Sequence, residues 1–234
     1  MTSNDILGLF LSYLYAFGLL FVVEALGKTF HWSQNSTRKI IHIGAGLWVW
    51  GIIALFDHWY FGIIPFFTFI FLNYMFYRKQ SFSQMDTKES TPGTVYFAFS
   101  ITVLFVLFWR TETLIDRVPI AIAATMAMTL GDAFAAIIGK AWGTHIYHVF
   151  GNTKSLIGSL SMFVFSLFGI FVSLYVVPGS ALSPNSAVLS LQTILFYSLF
   201  AAIVATGAEA VSPSGTDNIS VPLLTGLFLY LLIG

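Results

Sequence analysis

The chain has 234 residues, of which 57% are hydrophobic, 18% aromatic and only 9% charged, with a formal net charge of zero. A soluble domain carries about 25% charged residues, so this composition excludes an ordinary water-soluble fold. The absence of cysteine excludes disulfides and any Cys-based zinc or iron–sulfur site, although it identifies no compartment.

In chain order, apolar runs cover about 6–26, 40–56, 59–77, 92–109, 118–139, 155–177, 188–208 and 219–233. Several exceed the 18 or so residues expected of a spanning helix, and none alternates in the manner of a strand. The second and last are short, and the last is also compatible with a re-entrant piece. The expectation is an all-α, polytopic membrane bundle of about 7–8 transmembrane helices, forming a single transmembrane domain over 1–234. The stretch MTSND lacks a basic region and no small-x-small cleavage site follows, so residues 6–26 read as a retained helix. No internal repeat is visible.

Charge distribution sets an expected topology. With eight spans, one face receives Lys28, Arg38, Lys39, Arg78, Lys79, Lys88, Lys140 and Lys154, and the other only Arg110 and Arg117. The positive-inside rule makes the first face cytoplasmic and leaves the N-terminus outside.

Five polar stretches fall on that same face: STRKIIHIGAG (36–46), KESTPGTVY (88–96), the run around Asp132, GNTKSLIGS (151–159) and GAEAVSPSGTDN (207–218). The outer loops read as nearly featureless. This sorting implies one cytoplasm-facing site, although cytoplasmic loops are also simply the charged ones. Asp132 is the sharpest signal, since a carboxylate inside a membrane segment costs roughly 2.5–3.5 kcal/mol even on the mild insertion scale. From it Ala136, Gly139 and Gly143 follow at offsets of 4, 7 and 11, a bare stripe that suits either close helix packing or the approach of a head group.

Arg38 and His42 are four apart and share a helical face, while Lys39 turns away by about 100°. The pair suits an anionic group beside a proton acceptor; the alternative is a snorkelling arginine and a histidine bonded within the bundle. Glu24 is a candidate partner for either. Lys154 and Ser155 precede a long span, with Asn152 or Thr153 as expected N-caps, and a helix N-terminus so furnished is an anion site. No Walker A loop is present. Glu209, Asp217 and Asn218 flank a Pro-Ser-Gly turn, and such hard oxygen ligands suit Mg²⁺ arriving with substrate phosphates. A His145-x-x-His148 pair lacks an evident third zinc ligand.

Taken together, RKxxH, GTxY, GDAxAxxxGKxxG, KSxxGS and SPxGxDNxxxP resemble the family of dolichol kinases, phytol kinases and CTP-dependent diacylglycerol kinases. The resemblance runs from about 38 to 223. It implies transfer of the γ-phosphate of CTP to a lipid alcohol, isoprenoid for the phytol and dolichol branches, with Mg²⁺. It further implies phosphate binding by Lys154, Ser155, Asn152, Gly139, Gly143, Lys140, Gly158, Ser159, Lys88, Gly93 and Thr94. Metal binding falls to Asp132, Asp217 and Glu209, and catalysis to Asp132, His42 and Arg38. The expected partners are a nucleoside triphosphate, a lipid alcohol and membrane lipids, with no nucleic acid. One position departs: Ile157 stands where the family has glutamate in Lys-Ser-x-Glu-Gly-Ser, leaving Glu209 or Asp217 to take its part.

Part of the series also resembles phosphatidate cytidylyltransferases, whose longer C-terminal signature is missing. A transporter, the remaining reading, would carry repeated halves with broken helices near the midplane.

Overall fold

The computed structural model describes residues 1–82, 91–110, 115–150, 152–213 and 215–233. Among them are eight helices: α1 (Ser3–Thr29), α2 (Gln34–Leu55), α3 (Trp59–Lys79), α4 (Gly93–Phe108), α5 (Val118–Trp142), α6 (Leu156–Val176), α7 (Leu191–Val211) and α8 (Asp217–Ile233). Six are long and apolar enough to cross a membrane, while α4 and α8 are shorter. The segments expected from hydropathy correspond one for one, with ends shifted by a few residues. The fold is a nearly all-α membrane bundle.

Helix starts follow local chemistry. Thr2 and Asp5 form a capping box at α1, and the Ser33, Ser155 and Ser190 side chains accept from backbone amides at α2, α6 and α7. The bundle is organised around α5, whose residues Val118–Met126 are buried throughout. It packs against α2, α4, α6 and α8; α3 lies on α4, α7 bridges α6 and α8, and α1 lies outside on α2 and α3. Consequently the Val118–Met126 part of α5 carries no charge on any side, whereas α1 exposes Phe10, Leu14, Phe21 and Val22 to lipid.

Two breaks in regularity matter. Within α5, Ala127–Asp132 form a π-helical turn, an irregularity that recurs at functional sites. Its Ala127 carbonyl accepts from the Ser166 hydroxyl at 3.1 Å, and its Met128 carbonyl lies 3.3 Å from His42 Nε2. Gly46 lets α2 approach this turn, since a Cβ there would meet the Thr129 hydroxyl at 2.0 Å. The second break is Pro222 in α8, which has no N–H for the carbonyl of Asn218 one turn earlier. The buried Ser100 of α4 donates to that carbonyl at 2.7 Å instead. Low-dielectric surroundings make such substitutes necessary.

Between α5 and α6 lies an unexpected hairpin, β1 (Ile146–Val149) antiparallel to β2 (Asn152–Ser155), pairing Tyr147 with Lys154. The N-cap of α6 is therefore Ser155, which accepts from Gly158 N at 3.2 Å; Asn152 and Thr153 belong to the strand. The opposite end of the bundle also departs from the expectation of featureless loops. Buried Asp5 accepts from the Asp57 and His58 amides, each at 3.2 Å, and meets His58 Nδ1 at 2.8 Å. Asp116 likewise accepts from Arg110 N at 2.9 Å and from the Ser183 hydroxyl at 2.6 Å. Both aspartates tie loops to helix ends.

Candidate active site

A cavity of about 690 Å³ opens at the end of the bundle that carries the hairpin and extends inward between α1, α2, α3 and α4. Volumes of a few hundred to a thousand cubic ångströms are usual for small-molecule sites. Arg38 and His42 of α2 line it, with Gly93 and Thr94 at the start of α4. Asp132, Gly139, Lys140 and Gly143 contribute from α5 and the residue just beyond it. The hairpin and α6 contribute Asn152, Lys154, Ser155, Gly158 and Ser159; Glu209 and Asp217 close the ring. Lys88 lies outside the described residues.

Asp132, only 6% exposed, is the hub. Its Oδ2 accepts from Lys39 Nζ at 2.6 Å and lies 3.7 Å from His42 Nε2. Lys39 therefore does not turn away; its four-carbon stem carries the ammonium back across the angle that separates it from His42. Because His42 Nε2 also faces the Met128 carbonyl, an N–H on that nitrogen leaves Nδ1 as the acceptor. The described ion pair of Glu24 is with Lys28 at 3.0 Å, on the same helix.

Lys154 sits across the cavity in an ion pair with Glu209 Oε1. Burial pulls its ammonium down, but the charge and hydrogen bond of Glu209, aided by Asp217 and Asp132, hold it above its ordinary 10.5. Glu209, assigned to metal from sequence, is thus the lysine's counterion. Its other oxygen, Oε2, is buried with no hydrogen-bond partner among the described residues, and so is Asn218 Oδ1. Arg38, Asn218 and Thr91 converge over Gly93: a Cβ there would meet Asn218 Nδ2 at 3.2 Å and Arg38 Nη2 at 3.4 Å.

The small-residue stripe serves packing and access together. A Cβ on Gly139 would meet the Gly158 Cα at 3.2 Å, so the stripe brings α5 against α6. Gly139, Gly143 and Gly158 nonetheless line the cavity.

Among the described residues no three His, Cys, Asp or Glu side chains form a ready-made metal cage. Asp132 and Asp217 both line the cavity, and one or two carboxylates with phosphates and water completing the shell suit Mg²⁺. Glu209 Oε2 and Asn218 Oδ1, without partners among the described residues, belong to residues that line the same cavity as Asp217.

No family model matches the sequence, and no solved structure matches it. Named relatives do. The phytol kinase of Synechocystis sp. is 29% identical over 240 residues, covering 95% of this chain and 89% of that protein. A probable chloroplastic phytol kinase 1 of Oryza sativa subsp. japonica is 30% identical over 217 residues, covering 86% and 66%. The chloroplastic farnesol kinase of Arabidopsis thaliana is 24% identical over 242 residues, covering 98% and 76%. The chain belongs to the isoprenoid alcohol kinase family.

For this isoprenoid alcohol kinase family member, two parts of the cavity escaped the sequence. One is Lys39, whose signal was present as a cation within RKIIH. The other is an inner, apolar arm lined by Tyr15, Leu19, Trp48, Phe66, Phe69 and Phe97. These residues are scattered over four helices, and only their shared depth distinguishes them from lipid-facing neighbours.

Proposed function

We propose that the protein transfers the γ-phosphate of CTP to the hydroxyl of an isoprenoid alcohol of the phytol class, at a site facing the cytoplasm. The observation that carries this reading is that one cavity is charged at its mouth and aromatic at its inner end, with His42 and Asp132 among its lining. A water-soluble triphosphate and an apolar alcohol can meet there without either entering the other's solvent.

In this reading Lys154 and the start of α6 hold the phosphate chain, a placement favoured by the helix dipole and exposed amides. Ser155 spends its oxygen on the cap and keeps its O–H as a donor. Arg38, with the start of α4, offsets charge on the transferred group. Asp132 and Asp217 are the residues that would hold Mg²⁺, and Mg²⁺ when bound neutralises phosphate charge. Glu209 answers the position at which Ile157 departs from the family, by pairing Lys154 from α7.

The alcohol oxygen attacks the γ-phosphorus, the bond to the β-phosphate oxygen breaks, and CDP leaves. His42 Nδ1 accepts the hydroxyl proton. Phosphoryl transfer asks little covalent help of a protein, so positioning and charge stabilisation supply most of the rate. Lys39 holds the Asp132 carboxylate in place until the nucleotide arrives.

The test is phosphorylation of phytol by the purified protein in lipid nanodiscs, with CTP, ATP, GTP and UTP compared. Phytyl phosphate formed fastest with CTP supports the reading. Rapid transfer from another nucleotide corrects the donor, and no lipid phosphate from any of them contradicts the kinase assignment.

A further inference from the structure

The apolar arm has a defined inner end. Four helices contribute to it, and the lining residue of each farthest along its helix from the charged mouth is Ser12 of α1, Trp48 of α2, Pro65 of α3 and Ile101 of α4. Beyond them α2 continues with Val49 and Ile52, which have no exposure at all. Trp48 lies six positions past His42, or about 9 Å deeper along the helix.

The indole is also the best-fixed member of that set. Its N–H donates to the buried Ser12 hydroxyl at 3.2 Å. Its ring stacks on Tyr15, with centroids 4.2 Å apart and planes 11° from parallel. Tyr15 is fixed in turn, since its hydroxyl donates to the Gly44 carbonyl at 2.9 Å. An aromatic side chain held by a stack and a hydrogen bond resists displacement, in contrast to a lone leucine or methionine. The floor thus spans α1 and α2 and cannot yield to a tail by a simple rotamer change.

We propose that Trp48, pinned by Tyr15 and Ser12, is the specificity-determining floor of the acceptor arm and limits the length of isoprenoid tail that gains binding energy there. The proposal rests on the reading that the alcohol's tail enters this arm with its hydroxyl at His42. Isoprene units between His42 and Trp48 add apolar contacts and raise kcat/KM. Units beyond the indole add none, so a plot of kcat/KM against chain length breaks at the floor. Discrimination by apolar fit is modest per methylene, about 10- to 200-fold.

The experiment measures kcat/KM for isoprenoid alcohols from ten carbons upward, in nanodiscs, for the wild type, Trp48→Phe and Trp48→Ala. Removing the indole opens room for about one isoprene unit. The break should move to longer alcohols in the order wild type, Phe, Ala, with the ratio of long to short substrates rising at least about tenfold in Trp48→Ala. KM for the nucleotide should stay unchanged, since Trp48 is far from the phosphates. Trp48→Phe keeps an aromatic ring against Tyr15 and preserves the test if the alanine variant folds poorly. A break that stays in place in a folded, active variant overturns the floor while leaving the kinase assignment intact. A wild type inactive on the whole series overturns both.

Discussion

Lys39 Nζ and Asp132 Oδ2 stand 2.6 Å apart, joining α2 to the π turn of α5 inside the apolar bundle. Breaking a buried pair by removing one partner leaves an uncompensated charge and costs about 3–5 kcal/mol. Asp132→Asn should therefore lose both activity, by at least about a hundredfold, and stability. Neutralising both partners as Asp132→Asn/Lys39→Met should recover much of the stability and none of the turnover. Thermal unfolding and lipid phosphorylation, measured side by side, separate the roles. Wild-type turnover per folded molecule in either variant would make Asp132 structural.

Lys154 and Glu209 give a pH dependence of defined sign. Because the folded protein holds the Lys154 ammonium above its ordinary 10.5, its contribution to stability is complete below that pH. It is lost as pH rises through the raised value. Melting temperatures of wild type and Lys154→Met should differ by a constant amount from neutral pH to about 10 and converge above it. A difference that changes near neutrality would contradict the pairing. Lys154→Met should also raise KM for the nucleotide at least about tenfold, the removal of one charge-assisted contact.

Ser100 and Pro222 form a compensating pair through the Asn218 carbonyl. Ser100→Ala should cost about 1–3 kcal/mol, the usual consequence of stranding a buried acceptor. Pro222→Ala restores an N–H to the helix, so the double variant should be more stable than Ser100→Ala alone. Additive losses in that cycle would show that the hydroxyl does not serve the carbonyl.

Much of this was legible in the sequence because burial in lipid leaves long apolar runs with few charges. The eight helices, the buried Asp132 and the convergence of the polar stretches follow from that constraint. The rest depends on features with weak local signals. The π turn in VPIAIAATMAMTLGD carries no proline, and only packing against Gly46 and Ser166 reveals it. The hairpin holding Lys154 has four-residue strands, IYHV and NTKS, that do not alternate clearly between apolar and polar. Helical angles placed the Lys39 Cβ away from His42, yet a lysine stem is long enough to erase that angle. The pairing of Glu209 with Lys154 left no local signal, because the two lie 55 positions apart.

Orientation has a direct test, since the chain contains no cysteine. Val188, 75% exposed between α6 and α7, and Phe150, 79% exposed on the hairpin, mark opposite ends of the bundle. A cysteine at 188 should react with an impermeant thiol reagent outside intact cells, and one at 150 only after lysis. The reverse pattern would put the charged mouth on the outer side.

The most direct measurement of the central claim follows the label itself. Purified protein in nanodiscs is given phytol with CTP labelled in either the α- or the γ-phosphate. A lipid kinase transfers label to phytol from the γ position alone, and Asp132→Asn/Lys39→Met transfers none. Label reaching lipid from the α position, with pyrophosphate released, would make the protein a cytidylyltransferase and contradict the account.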